Sequence, residues 1–152
     1  FPFGHGHSYA RFEIGPPELS AGEFRPGEAL TVRIPVRNTS DRPGSEVVQL
    51  YVRPLAAAAF RPPKELKGFA KLHLDPGASG TAVVTLDDRS FARWDPGKPA
   101  WAAPAGAGPA ARGAGWIVDP GRYELCVGRS SADILHVATV HVGPATPGPR
   151  GA

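Results

Sequence analysis

The feature that most constrains this chain is a two-residue hydrophobic period, cut at short intervals by glycine and proline. In "LTVRIPVRN", Leu30, Val32, Ile34 and Val36 fall on one side, while Thr31, Arg33 and Arg37 fall on the other. Successive side chains of a strand point to opposite faces, so this is a strand with one buried face. The alternation recurs in "EVVQLYVRP", with Val48, Leu50 and Val52 inward and Gln49 and Tyr51 outward. "TAVVTLDD" places Ala82, Val84 and Leu86 together, and "GRYELCVGR" places Tyr123, Leu125 and Val127 together. Cys126 then falls on the opposite face, as a small packed residue rather than a reactive thiol. "KELKGFAKLHLDPG" is a strand closed by a Pro-Gly turn, and "ILHVATVHV" is apolar on both faces, which leaves its phase open. Pro35 lies among the outward positions and has no N–H for a ladder, which predicts an edge strand or a bulge.

Glycine (19) and proline (18) are frequent enough among the 152 residues that turns dominate, and no stretch carries a convincing helical period. The length supports one core. Short strands between turns, without helices, predict an all-β, Ig-like antiparallel β-sandwich. Tyr123 follows a Pro-Gly turn, as does the tyrosine near the start of the penultimate strand in such sandwiches. Leu125 stands where antibody domains carry a cysteine, so the expected type is a disulfide-free sandwich of fibronectin type III character. Three segments follow: an N-terminal linker or turn from a preceding domain (1–12), the sandwich (13–143), and a disordered tail (144–152). Within the sandwich, 96–115 is Ala/Gly/Pro-rich and reads as a long, low-complexity, mobile loop insertion.

Charge and composition exclude several functions. The net charge of +3 comes from scattered arginines, and no basic cluster interleaves with aromatics, which argues against nucleic-acid binding. No apolar run approaches the roughly 20 residues that cross a bilayer, so no membrane partner is expected. The first residues lack the basic start and apolar stretch of a signal peptide. With no methionine anywhere, the chain reads as a processed or truncated piece of a longer polypeptide. The single cysteine excludes an internal disulfide and leaves the redox compartment open.

The chemistry-bearing residues do not assemble into a reaction. Asp87 and Asp88 are adjacent and suit a turn or cap before "RSFARW"; Asp95 and Asp119 each precede proline, where turn initiation is the ordinary role. His5 and His7 point the same way in an extended chain, but no third or fourth ligand is evident for a metal. Ser8 lacks the glycine context of a nucleophile elbow. No catalytic residue, cofactor or metal is expected. Trp94 and Trp116 suit packing at the sandwich rim; a sugar platform needs two or more coplanar exposed rings.

The strings "FPFGHGHSYARFE", "VRNTSDRPGSEVVQLYV", "RPPKELKGFAKLHLDPG" and "WIVDPGRYELCVGRSSADI" occur in that order. Together they resemble the C-terminal fibronectin type III-like domain of family 3 glycoside hydrolases, the β-glucosidase and β-xylosidase group. His7 departs from the family pattern, which favours an apolar residue there. The family hydrolyses glycosides by a retaining route with two carboxylates, which the resemblance assigns to domains absent from this chain. It therefore implies a non-catalytic accessory domain that packs on the catalytic domains of the same polypeptide, acting on carbohydrate. Phe1, Phe3, His5, His7, Tyr9, Lys64, Leu66 and Phe69 are the expected interdomain contacts, with Lys67 beside them; Tyr123, Trp94 and Trp116 are structural. The alternative is an independent carbohydrate-binding module.

Overall fold

A computed structural model describes residues 1–6, 9–56, 61–97 and 113–144. Its strands are β1 (Phe12–Ile14), β2 (Glu18–Leu19), β3 (Glu23–Phe24), β4 (Leu30–Asn38), β5 (Gly44–Pro54), β6 (Glu65–Leu74) and β7 (Ser79–Leu86). After a single-turn helix α1 (Asp88–Phe91) come β8 (Ala92–Asp95), β9 (Gly115–Val118), β10 (Gly121–Gly128) and β11 (Ile134–Val142). In the smaller sheet, β4 pairs with β7 on one side and with β1 and then β2 on the other. The larger sheet has five strands in the order β3-β11-β10-β5-β6, and β8 with β9 forms a separate ribbon. Every pairing is antiparallel except the short β3–β11 contact. The result is the two-sheet sandwich that the alternation predicts.

The core lies between the sheets. Val32, Ile34, Val36, Val84 and Leu86 come from one side, and Val48, Leu50, Val52, Leu125, Val127, Val140 and Val142 from the other. Phe24 and Phe91 close one end with ring centroids 4.5 Å apart, and Phe91 meets Tyr123 edge-on at 5.4 Å. Each such aliphatic or aromatic side chain contributes roughly 1.5–3 kcal/mol of apolar burial, offset by the entropy of ordering the chain.

Four points differ from expectation or complete it. Pro35 is neither on an edge strand nor at a bulge, because β4 is paired along both sides. Its missing N–H falls in the break between β1 and β2, where its carbonyl accepts from Gly15 N at 2.8 Å. In β11, His136, Ala138, Val140 and Val142 face inward, opposite the inward residues of β10. Pairing with β10 sets this phase, and the register shifts only past Val127. Ala10 and Phe12 belong to the core, so a boundary after residue 12 cuts through packed structure. Finally, Gln49 and Tyr51 do point outward, yet they are only 6 % and 3 % exposed.

Candidate functional site

The aspartates singled out in the sequence, Asp87, Asp88, Asp95 and Asp119, are engaged in structural roles. Asp87 is the N-cap of α1: its carboxylate accepts from Ser90 N, and the Ser90 hydroxyl accepts from Asp87 N in return, both at 3.1 Å. This reciprocal pairing starts the helix where the sequence suggested a cap. Asp88 accepts from Gly27 N at 2.8 Å, and Asp95 accepts from Gly97 N at 2.8 Å. Asp119 receives Arg93 Nε at 2.6 Å, and its own carbonyl accepts from the Tyr123 hydroxyl at 2.8 Å. Tyr123 is buried, and that burial pushes its phenol above the usual range. The Asp119 hydrogen bond, seconded by charge, raises the Arg93 guanidinium. Tyr123, Asp119 and Arg93 therefore tie β10 to the β8–β9 ribbon.

Trp94 and Trp116 face each other on that ribbon, both about half-exposed, with centroids 5.5 Å apart and planes inclined at 67°. The Arg89 guanidinium lies 3.7 Å from the centre of the Trp116 ring, a cation–π contact. Inclined rings, one of them covered, do not make the coplanar surface on which a sugar stacks. Trp101 and most of the expected loop lie outside the described residues.

The histidines are dispersed. His5 stacks on Phe1 at 5.3 Å, His73 hydrogen-bonds the Ser45 hydroxyl at 3.0 Å, and His136 Nε2 donates to the Ile14 carbonyl at 2.7 Å. Among the described residues, no group of three or more His, Cys, Asp or Glu side chains is placed to hold a metal. A recess beside the N-terminal segment is lined by Arg11, Glu46, Arg129 and Asp133, among others. There Arg129 pairs with Glu46 at 3.3 Å and Asp133 at 3.6 Å, so its charges largely neutralise one another.

The expected contact residues gather at two places. The N-terminal segment lies across one end of the larger sheet: Ser131 N donates to the Phe3 carbonyl at 3.0 Å, and Gln49 Nε2 points at the Gly4 carbonyl at 3.4 Å. Gln49 Nε2 also donates to Arg129 O at 2.7 Å and Gln49 Oε1 accepts from the Tyr51 hydroxyl at 2.5 Å. Gly4 has φ of +79°, and a β-carbon there would come within 2.3 Å of the Gln49 amide. Phe1, Phe3 and Tyr9 leave their rings exposed; His7 lies outside the described residues. At the second place, Leu66 and Lys64 are half-buried at the start of β6 while Phe69 is exposed. Lys67 is not a free solvated lysine: it bonds Glu65 at 2.7 Å, and the nearly buried Arg61 reaches the same carboxylate at 2.9 Å. Burial alone would raise the Glu65 carboxyl, but these two cations outweigh it and hold it below its ordinary value.

Between these places lies a cross-strand row that the sequence reading did not assemble. Val137, Cys126, Tyr51 and Leu66 are successive partners across β11, β10, β5 and β6, all on the outward face. Cys126 is 2 % exposed, and burial raises its thiol above the ordinary range, so it is not poised as a nucleophile. The two apolar faces of "ILHVATVHV" were the signal for Leu135 and Val137. Nothing in the sequence pointed to Arg61 or to the Arg93–Asp119 pair.

A two-sheet sandwich with a tyrosine bonded back to the turn before its strand defines a domain of the fibronectin type III class. A family model described as a fibronectin type III-like domain matches residues 46–108. A β-glucosidase of Rhizobium radiobacter is 44 % identical over 142 residues, which are 93 % of this chain but 15 % of that protein. An exo-α-(1→6)-L-arabinopyranosidase of Bifidobacterium breve is 40 % identical over 140 residues, covering 91 % of this chain and 16 % of the relative. The crystal structure of a Listeria innocua β-glucosidase with glucose superposes with a TM-score of 0.78 at 32 % identity, over 96 % of this chain and 18 % of that one. The chain belongs to the fibronectin type III-like domains of family 3 glycoside hydrolases.

Proposed function

We propose that this chain is a non-catalytic accessory domain of a longer β-glucosidase-type polypeptide acting on β-linked sugars, and that it stabilises the arrangement of the catalytic domains. The observation that carries this reading is the shape of the match: nearly all of this chain aligns with about one-sixth of much longer glycosidases. The described acids support it, since Asp87, Asp95 and Asp119 are each committed to a cap, a turn or an ion pair. Retaining hydrolysis needs two carboxylates about 5 Å apart flanking the scissile bond, and these are assigned to the remainder of the polypeptide. Sugar specificity also belongs there, because similar modules occur in a β-glucosidase and in an arabinopyranosidase.

The test is to assay the purified chain and the polypeptide encoded by its complete reading frame on a chromogenic β-glucoside. The reading predicts hydrolysis by the complete polypeptide and none by the chain alone. Turnover by the isolated chain would overturn it, as would a complete polypeptide without glycosidase activity.

A further inference from the structure

We propose that the outward face of the five-stranded sheet, with Tyr51 and Cys126 at its centre and Leu66, Phe69, Leu135 and Val137 around them, is the surface by which this domain seats on the catalytic body of the same polypeptide. The proposal rests on the accessory-domain reading above and adds which face makes the contact.

A free-standing sandwich keeps the outward side of its sheets polar. The smaller sheet obeys this, with Arg33, Arg37, Thr81 and Thr85 outward, and Glu13 and Glu18 opposite the arginines. The larger sheet does not. Five consecutive residues of β5, Val48–Val52, and four of β10, Leu125–Gly128, are buried, the pattern of strands covered on both faces. Yet beside Tyr51 and Cys126 stand Phe69 at 68 % and Val137 at 51 % exposure. Charged residues flank this patch at both ends: Arg53 pairs with Glu124 at one, and the exposed Lys71 follows Phe69 at the other. The occupant follows from two observations. Residues 3 and 4 are hydrogen-bonded to Ser131 and Gln49, at the end of this face where Phe69 stands opposite Gln49, so a domain preceding Phe1 is delivered beside it, with the exposed Phe1 and Phe3 extending the apolar surface. In the similar glycosidases, the matched segment is 15–18 % of the chain, leaving a large body to cover it.

The single substitutions Phe69→Cys, Val137→Cys and Val83→Cys, each in a Cys126→Ala background, test this, Val83 being an exposed residue on the outward face of the smaller sheet. Maleimide labelling rates are compared between the isolated chain and the complete polypeptide, with glycosidase activity measured on the same samples. The expected result is at least about tenfold protection at 69 and 137 in the complete polypeptide and an unchanged rate at 83. Equal rates at all three positions, or protection at 83 alone, would overturn the proposal. So would light scattering showing that the isolated chain dimerises with 69 and 137 protected, which would make a second copy the occupant. Activity without protection defeats this proposal and leaves the accessory reading standing. Protection without activity identifies a covered face but defeats the assignment of its occupant to a glycosidase body.

Discussion

The two outward faces of this sandwich are built from strands of similar length and opposite chemistry. On β4 and β7, burial alternates residue by residue, and every outward position is half-exposed or exposed. On β5 and β10, the outward Gln49, Tyr51 and Cys126 are as buried as core residues, within a polar bond that Tyr51 makes to Gln49 and Gln49 makes to the backbone. One face is therefore finished for water, while the other sets buried side chains beside the exposed, apolar Phe69 and Val137. The difference teaches that the hydrophobic period alone locates the core but does not say which outer face stays wet.

That comparison breaks most readily at Tyr51. Replacing it with alanine is expected to cost about 3–5 kcal/mol, the range for a buried aromatic, whereas Arg33→Ala on the other face should stay within about 0.5 kcal/mol. Urea midpoints of the isolated chain measure both, and equal small effects would make the larger sheet's outer face an ordinary surface. Gly4→Ala sharpens the comparison at the end where the N-terminal segment crosses. The left-handed backbone costs a non-glycine residue about 1–2 kcal/mol, and the new methyl group displaces Gln49. Earlier proteolytic release of residues 1–6, with the core melting nearly unchanged, is the expected outcome.

The smallest effect concerns the ion cluster at the start of β6. Because Glu65 is held below its ordinary value in the folded state, folding favours its ionised form. That contribution is present above the unfolded value near 4.5 and is lost as pH falls through the lower folded value. Glu65→Gln should flatten this acid limb of the stability curve while lowering stability modestly at neutral pH, as followed by thermal melts from pH 3 to 7. An unchanged acid limb would show that the pairing with Lys67 and Arg61 carries no net weight.

Much of the fold was legible because β4 and β7 each bury one face, so a period of two marks their phase without further information. β11 was illegible for the opposite reason: with Leu135 and Val137 as apolar as its inward residues, only pairing with β10 sets the phase. Pro35 misled because a missing donor implies an edge, and the sequence does not reveal that two short strands share one side of β4 with a gap between them. Tyr123 was found by its turn. Its anchor at Asp119 was visible as an Asp-Pro step, but the partner Arg93 comes from a strand far off in sequence. Leu66 and Phe69 were named as expected contacts from resemblance, while their neighbours Leu135 and Val137 needed the sheet order.

The most direct test of the central contrast is the heat-inactivation half-life of the glycosidase activity proposed for the complete polypeptide, compared between Val137→Glu and Val83→Glu. Both side chains are about half-exposed in this domain, so both variants should fold normally as isolated chains. The account predicts a half-life shortened several-fold by Val137→Glu and unchanged by Val83→Glu; equal half-lives would contradict it.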